Sequence, residues 1–200
     1  QEIIEGGDEN ILQCTALVRR SGDPGAAFCT RKLHQYQPGY GVMCFGRSEE
    51  NEVLTAHTLQ LLRFLRYRGL ASLEFKYRAQ DGRYYFIEMN PRLPWYNSLF
   101  IEAQVNLPYL AYLDLTGNER VEAIGARQRD GVYWMSFKEN LGWLLLAPGR
   151  ARVRLFEWLV SLVRARSYAW FDWRDPQPFL RATLHLFSAG IRYLFGKPLV

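Results

Sequence analysis

The sequence predicts an α+β fold in which an antiparallel sheet is flanked by helices. Strand-like segments separated by turn residues come first, a segment with helical leucine spacing follows, and a second strand pair precedes further helices. A doubly wound parallel sheet would instead alternate strands and helices regularly. The 200 residues are enough for one good-sized domain or a domain with an appendage. The order of segments therefore favours a single sheet built from neighbouring strands.

Three strands are predicted at the start of the chain, over residues 11–18, 26–36 and 41–46. The sequence SGDPG at 21–25 separates the first two, and QPGYG at 37–41 separates the next two. Glycine permits positive φ in such turns, and proline cannot donate to a strand ladder. The two segments therefore indicate tight connections between adjacent strands.

A helix is predicted to begin at Ser48 and to end at Gly69. The Ser48 hydroxyl is suited to an N-cap, and the two glutamates that follow suit the positive end of a helix. Glycine is the usual residue just beyond a helix C-terminus. Four leucines lie between these positions at helical spacing, namely Leu54, Leu61, Leu62 and Leu65.

The next segments predict a hairpin, with strands over 71–78 and 83–89 and a turn at 80–82. Residues 97–115 have a helical pattern, in which Pro108 can begin a second helix.

The last part of the sequence is predicted to be a basic, helical extension. A polar connector over 116–131 precedes predicted helices at 152–165 and 178–195. We therefore divide the chain into a first unit at 1–118 and an extension at 119–200.

Charge and cysteine content restrict the class of protein. Residues 119–200 carry 13 Lys and Arg against 7 Asp and Glu, whereas residues 1–118 carry 12 against 13. The three cysteines form no C-x-x-C pair, which favours core packing in a reducing, cytoplasmic compartment over a disulfide framework. The sequence contains no run of 18 or more uncharged apolar residues that could span a membrane.

The residues with the strongest chemical signal are two glutamates and an asparagine around the predicted hairpin. Side chains alternate along a strand, so Glu88 and Asn90 share one face. A three-residue loop, with Gly82 in its left-handed position, places Glu74 opposite Glu88, whereas a two-residue loop places Glu74 opposite Met89. Facing carboxylates repel each other unless a positive group lies between them. The pattern therefore favours a bridging cation such as Mg²⁺, the alternative being two exposed glutamates on a solvated face.

The same residues carry a family resemblance. The sequence FIEMNPR at 86–92, preceded by LEF at 73–75, resembles the second lobe of ATP-grasp enzymes such as biotin carboxylase and carbamoyl phosphate synthetase. The segment QEIIEG at 1–6 resembles the hinge strand of that fold, whose backbone bonds the adenine edge. The resemblance covers about residues 1–118, which would form an ATP-grasp C-terminal lobe.

The resemblance implies a role for each matching residue. Glu74 and Glu88 would hold Mg²⁺, or Mn²⁺ in its place, against the ATP phosphates, and Asn90 would complete a second metal site. Arg92 would bind the acyl phosphate or the carboxylate being activated.

The resemblance also implies nucleotide contacts elsewhere in the first unit. An adenine pocket and a ribose contact would be formed by Gln1, Ile3, Ile4 and Asp8. A strand would face phosphate or substrate with Arg31, Lys32, His34 and Gln35.

The implied activity is that of an ATP-dependent carboxylate–amine ligase. A carboxylate attacks the γ-phosphate of ATP, and an amine or a similar nucleophile attacks the resulting acyl phosphate. Because the chain begins at the hinge, we expect it to lack the N-terminal lobe of its parent and to be inactive alone. The expected partners are a small carboxylate, an amine and that missing N-terminal part.

Two alternatives come from other classes of protein. One is an ATP-binding regulatory domain without ligase turnover. The other is a basic module that binds an anion or a membrane surface through the extension; no nucleic-acid motif is present. The last predicted helix supports a surface role, because its apolar residues form one stripe consisting of Leu180, Leu184, Phe187, Ile191 and Leu194.

Overall fold

A computed structural model describes residues 2–118 and 127–184. Its described strands form one seven-stranded sheet, ordered β5-β4-β1-β2-β3-β6-β7. Neighbouring strands are antiparallel except for the last two, which are parallel. The bounds of the strands are β1 Ile11–Val18, β2 Pro24–Tyr36, β3 Val42–Ser48, β4 Gly69–Arg78, β5 Arg83–Asn90, β6 Tyr133–Met135 and β7 Ala165–Tyr168.

Helices cover parts of both faces of this sheet. Their bounds are α1 Glu52–Phe64, α2 Ser98–Glu102, α3 Leu107–Leu115, α4 Phe137–Leu146 and α5 Ala151–Arg164. Residues 177–184 are also helical, and the rest of the predicted helix at 178–195 lies outside the described residues. The α+β prediction is confirmed, and Pro108 lies in the first turn of α3 as expected.

The predicted start and end of the first helix are wrong. Ser48 closes β3, where its hydroxyl donates to the Arg129 carbonyl at 2.7 Å. Asn51 caps α1 instead, because its side chain accepts the Leu54 N–H at 3.0 Å. Gly69 does not cap the helix, which ends at Phe64; with φ of +101° it begins β4.

Strict alternation along β1 divides the core between the two sheet faces. Leu12, Cys14 and Ala16 pack with Leu54 and Leu62 of α1. Leu17 packs on the opposite face with apolar residues of α2 and α3. All three cysteines are buried with free thiols. The buried polar residues of β1, Gln13 and Thr15, alternate with the residues that face α1 and therefore lie on the second face.

The region after residue 127 contributes strands as well as helices. Short β6 pairs with β3, and β7 pairs with β6, so both extend the sheet of the first unit. Neither strand was predicted, and neither was α4. The ring of Trp143 in α4 stacks on His34 of β2, with 3.6 Å between ring centroids. The region is therefore helical, as predicted, with two short strands in addition, while the division at residue 118 stays a prediction.

Within the described ranges, no helix combines the length and apolar character needed to cross a membrane.

Candidate functional site

A cleft of about 810 Å³ lies on the sheet face that carries Gln13. Strands β1 to β5, the N-terminal segment and the segment after β5 contribute its walls. Most of the residues predicted for the site line it, including Ile3, Ile4, Lys32, Gln35, Glu74, Glu88, Asn90 and Arg92. The fold therefore brings together residues that are far apart in the sequence.

The hairpin of β4 and β5 places Glu74 opposite Glu88, as predicted. The loop that produces this register differs from the prediction. Arg78 pairs with Arg83, so four residues form the loop, and Ile87 is an extra residue that shifts the register between Glu74 and Phe75. The extra residue restores the predicted pairing and keeps the two glutamates on one face. Gly82 has φ of +66°, as expected for the left-handed loop position.

Glu88 and Asn90 form an oxygen-rich pair at the end of β5. The Asn90 amide donates to Glu88 Oε1 at 2.7 Å, and the Glu88 side chain is exposed to the cleft. The Asn90 amide oxygen accepts no hydrogen bond from any residue the structure describes. One carboxylate and one amide oxygen are therefore free to bind a hard cation.

Glu74 is held by cationic and polar neighbours within the sheet. Lys32 Nζ lies 2.8 Å from Glu74 Oε2 and donates to Gln35 Oε1 at 3.1 Å. Gln13 also donates to Glu74 Oε2. The side chains of Lys32 and Glu74 are only 5% and 11% exposed. Lys32 therefore supplies positive charge at Glu74, where the facing carboxylates predict a metal ion.

Tyr96 extends this network below the cleft. Its hydroxyl donates to Gln13 Oε1 and lies 3.2 Å from the Thr30 hydroxyl. Burial raises the pKa of Tyr96 far above its usual value, so the phenol is neutral and can donate. Through Gln13, the orientation of Glu74 is coupled to the core beneath the cleft.

Arg31 does not lie in the cleft, although it was predicted to face phosphate or substrate together with Lys32. Adjacent residues of a strand point to opposite faces, so the two side chains separate. Arg31 Nη2 forms an ion pair with Glu49 at 2.5 Å, and Arg47 contacts the same carboxylate at 2.7 Å. Burial opposes ionisation of Glu49, but the hydrogen bonds from the two arginines outweigh it and lower its pKa.

Only some of the N-terminal residues that were predicted to contact the nucleotide line the cleft. Ile3 and Ile4 line the cleft, whereas Gln1 lies outside the described residues. Asp8 is absent from the lining, because its carboxylate accepts the Gln35 N–H at 3.0 Å and the Gly39 N–H at 3.3 Å. Asp8 therefore holds the end of β2 and the following turn.

His34 also faces away from the cleft, because β2 contains a bulge. Lys32 pairs with Gly46 and His34 with Phe45, so Leu33 is an extra residue that breaks the alternation. The buried His34 ring lies 2.9 Å from Asn140 Oδ1 and stacks on Trp143. Burial lowers the pKa of His34, and the hydrogen bond with Asn140 and the charge of Asp8 offset only part of that effect.

Replacing His34 by glutamine is expected to reduce the loss of stability at acidic pH. The folded state binds the His34 proton less readily than the unfolded chain, so the unfolded state gains protons below about pH 6.5. The contribution of His34 is therefore complete above that pH and is lost as the pH falls through its folded pKa. Urea unfolding between pH 7.5 and 5.5 measures the slope, and equal slopes for both proteins would contradict the assignment.

One lysine of the cleft was not predicted from the sequence. Lys76 lies on β4 two residues after Glu74 and therefore shares its face. Trp95 and Tyr96, in the loop after β5 that is expected to shape the substrate end or to pack, also line the cleft. Lys76 forms no ion pair within the part of the chain that the structure describes. Strand alternation could have predicted Lys76. It places Glu74 and Lys76 on one face of β4, just as it places Glu88 and Asn90 on one face of β5.

The oxygen atoms of the three predicted metal ligands are of the kind that a hard divalent cation prefers. Glu74, Glu88 and Asn90 supply carboxylate and amide oxygens from two paired strands, and Mg²⁺ prefers such oxygens together with waters and phosphates. Glu88 and Asn90 are accessible from the cleft, whereas Glu74 would exchange its contact with Lys32 for the metal.

Comparison with known proteins gives a family match at this site. Residues 46–102 match the family model described as the carbamoyl-phosphate synthase L chain, ATP binding domain. The matched segment contains Glu74, Glu88, Asn90 and Arg92, and the resemblance to ATP-grasp domains is thereby confirmed. A search of curated proteins gave no match.

Of three similar solved structures, the first supports the fold. A pyruvate carboxylase variant from Rhizobium etli, crystallised without acetyl coenzyme-A, is 17% identical with a TM-score of 0.51, over 66% of this chain and 14% of that chain. A biotin carboxylase from Campylobacter jejuni is 13% identical with a TM-score of 0.48, over 66% and 30%. The phosphoribosylaminoimidazole carboxylase ATPase subunit from Aquifex aeolicus is 17% identical with a TM-score of 0.47, over 56% and 34%. This chain thus spans about a third or less of the length of these proteins.

Proposed function

We propose that the cleft binds Mg-ATP and that the protein is an ATP-dependent ligase, which activates a carboxylate as an acyl phosphate for attack by an amine. The observation that carries this proposal is the position of Glu88 and Asn90, side by side and opposite Glu74, in a cleft that Arg92 also lines. When bound, Mg²⁺ (or Mn²⁺) would neutralise phosphate charge.

The residues around this position divide between two tasks. Glu88, Asn90 and Glu74 are the proposed metal ligands. Arg92 is exposed in the cleft, and among the described residues its guanidinium donates only to the Leu93 carbonyl, at 3.3 Å. Its guanidinium is therefore free to bind a carboxylate or an acyl phosphate through two parallel hydrogen bonds. Phosphoryl transfer of this kind depends on positioning and charge stabilisation, and needs no protein nucleophile.

Part of the cleft lining is apolar and suited to a purine ring. Ile3 and Ile4 contribute to it from the N-terminal segment, and Phe86 from β5. Lys76 lines the cleft on the same strand face as Glu74 and pairs with Tyr85, one position beyond Phe86. Its ammonium group is therefore a candidate contact for the phosphate chain or the ribose.

In this proposed function, the chain is the metal-binding lobe of the ligase. The match covers only part of each similar structure, and in the ATP-grasp family a further lobe covers the phosphates. We propose that turnover requires such a lobe, and that the carboxylate and the amine bind beside Arg92. The 200-residue chain alone is then expected to bind Mg-ATP without turning it over.

Calorimetric titration of ATP with and without Mg²⁺ tests the nucleotide site. Lys76→Met keeps the length of the side chain but removes a charged contact with the nucleotide. The expected loss in affinity is about tenfold, since a hydrogen bond to a charged group is worth ~1.5 kcal/mol. Lys138→Met is the matched control, because Lys138 is exposed on α4 and lies outside the cleft. Equal affinities of the two variants, or no Mg-ATP binding by the unmodified chain, would count against the site.

The contacts of Glu74 favour a second candidate, an ATP-binding regulatory domain without ligase turnover. Glu74 is already neutralised by Lys32 and bonded by Gln13, which leaves Glu88 as the accessible carboxylate of the three proposed ligands. Phosphate release by the full-length protein, measured over a panel of carboxylates and amines, separates the two candidates. Turnover that depends on both substrates supports the ligase, and Mg-ATP binding without any turnover supports the regulatory domain.

A further inference from the structure

Helix α5 exposes an apolar surface away from the cleft. Five of its apolar side chains are about half or more exposed, and Phe156 and Val163 are 67% and 78% exposed. They fall on one broad side of the helix, which we call the outer face of α5 and which consists of Val153, Leu155, Phe156, Leu159 and Val163. A globular protein rarely exposes so many neighbouring apolar side chains unless they bind something.

The opposite side of α5 holds the helix in place. Ser161 is fully buried and accepts a hydrogen bond from the Asn140 amide at 2.6 Å, and Trp158 packs beside Cys44 and Trp143. The helix is thereby fixed to β3 and α4 through its inner side. The side chains of its outer face are exposed and do not belong to the core.

Arginines lie at both ends of the outer face. Arg150 and Arg152 lie at the start of α5, and Arg164 and Arg166 lie at its end and in β7. Glu157 is the single acidic residue between positions 150 and 166. Within the described ranges no acidic side chain forms an ion pair with any of these four arginines. None of the four is therefore paired with a carboxylate, while Arg164 lies over the Tyr133 ring, 5.5 Å from its centroid.

Two tryptophans follow this surface in the sequence. Trp170 is half exposed and Trp173 is 87% exposed, directly after β7. Tryptophan is favoured at membrane–water interfaces because its ring is apolar while its N–H can bond to water or headgroups. Both tryptophans line a groove together with Arg166. Exposed tryptophans, arginines without an ion pair and an apolar helix face are together the composition expected of an interfacial segment.

We propose that the outer face of α5 binds the surface of an anionic lipid bilayer, with the helix lying parallel to the membrane plane. The apolar side chains enter the boundary between headgroups and acyl chains, and the flanking arginines contact lipid phosphates and carboxylates. Arginines without ion-pair partners favour this occupant over a neutral apolar partner. The helix lies on the bilayer and does not span it. The proposal is independent of ATP binding in the cleft.

Flotation of the 200-residue chain with lipid vesicles tests the proposal. We expect binding to phosphatidylcholine vesicles that contain 30% phosphatidylserine, at low salt. Binding should be at least tenfold weaker to pure phosphatidylcholine and in 0.5 M salt, because the arginines contribute through electrostatic attraction. The double variant Phe156→Glu, Val163→Glu should lose at least tenfold in affinity. Phe64→Glu is the matched control, since Phe64 is 82% exposed at the end of α1.

Circular dichroism first establishes that each variant is folded. If the double variant is not, Arg150→Gln with Arg152→Gln replaces it, and the same tenfold loss is expected. Failure of the unmodified chain to float with anionic vesicles overturns the proposal, as does equal binding by the test variant and the Phe64→Glu control. A concentration-dependent dimer that the test variant abolishes, without vesicle binding, would assign the face to a second copy of this chain and also overturn the proposal.

Discussion

Replacing Lys32 by methionine is expected to destabilise the protein by about 3–5 kcal/mol, the cost of removing one partner of a buried ion pair. The Lys32 ammonium lies 2.8 Å from Glu74 Oε2, and both side chains are almost fully buried. Methionine fills similar space but leaves the Glu74 carboxylate buried without its cation. Urea unfolding followed by circular dichroism measures the change in free energy.

Two further variants separate loss of charge from loss of packing. Lys32→Met combined with Glu74→Gln removes both charges, so it should recover part of the stability lost by Lys32→Met alone. Lys76→Met is the matched single control, because Lys76 lies on the same sheet face, is half-buried and has no ion pair in the described chain. We expect it to change stability by less than about 1 kcal/mol. A cost for Lys32→Met no larger than that of Lys76→Met would show that the ion pair does not stabilise the fold.

The hairpin shows how far sequence alternation can predict a site. The pairing of Glu74 with Glu88 was correct, although the loop has four residues and an extra residue at Ile87 compensates. One additional loop residue and one bulge residue each shift the strand pairing by one position. The sequence pattern indicates the resulting pairing of the two glutamates but not which of the two features produces it. Gly82 correctly indicated a left-handed loop position but could not fix the length of the loop.

The second strand shows where the same reasoning fails. The extra residue at Leu33 turns His34 away from Lys32, and no proline, glycine or charge pattern in the sequence marks that bulge. Alternation alone would separate Arg31 from Lys32, and the structure does so. The family resemblance assigned both residues to the same site, although adjacent residues of a strand face opposite sides of the sheet.

Strands β6 and β7 could not be recognised from their own residues. They contain three and four residues, too few for a period of two to be distinguished from chance. Their position is set by pairing with β3 and with each other, which are contacts between segments far apart in the sequence. The same limit applies to Gln13, whose bond to Glu74 depends on the register of β1 and β4.

Replacing Glu88 by glutamine is expected to lower the affinity for Mg-ATP by at least about tenfold, while ATP binding without Mg²⁺ changes little. The amide keeps the shape of the side chain and its hydrogen-bonded position beside Asn90, but it removes the negative charge that a hard cation requires. Glu88 is exposed, so its replacement should change the free energy of unfolding by less than about 0.5 kcal/mol. Titration calorimetry at fixed ATP and varied Mg²⁺ measures the effect.

Glu52→Gln provides the matched control for this experiment. It removes the same charge from an exposed glutamate at the start of α1, outside the cleft, so that a change in overall charge is separated from the loss of a ligand. The Mg²⁺-dependent part of the affinity should survive in Glu52→Gln and be lost in Glu88→Gln. If both variants keep it, Glu88 does not bind the cation, and the pair formed with Asn90 is only a surface hydrogen bond. If both lose it, the dependence reflects general electrostatics, because Mg²⁺ binding at a defined site requires its own ligands and cannot respond equally to a distant charge.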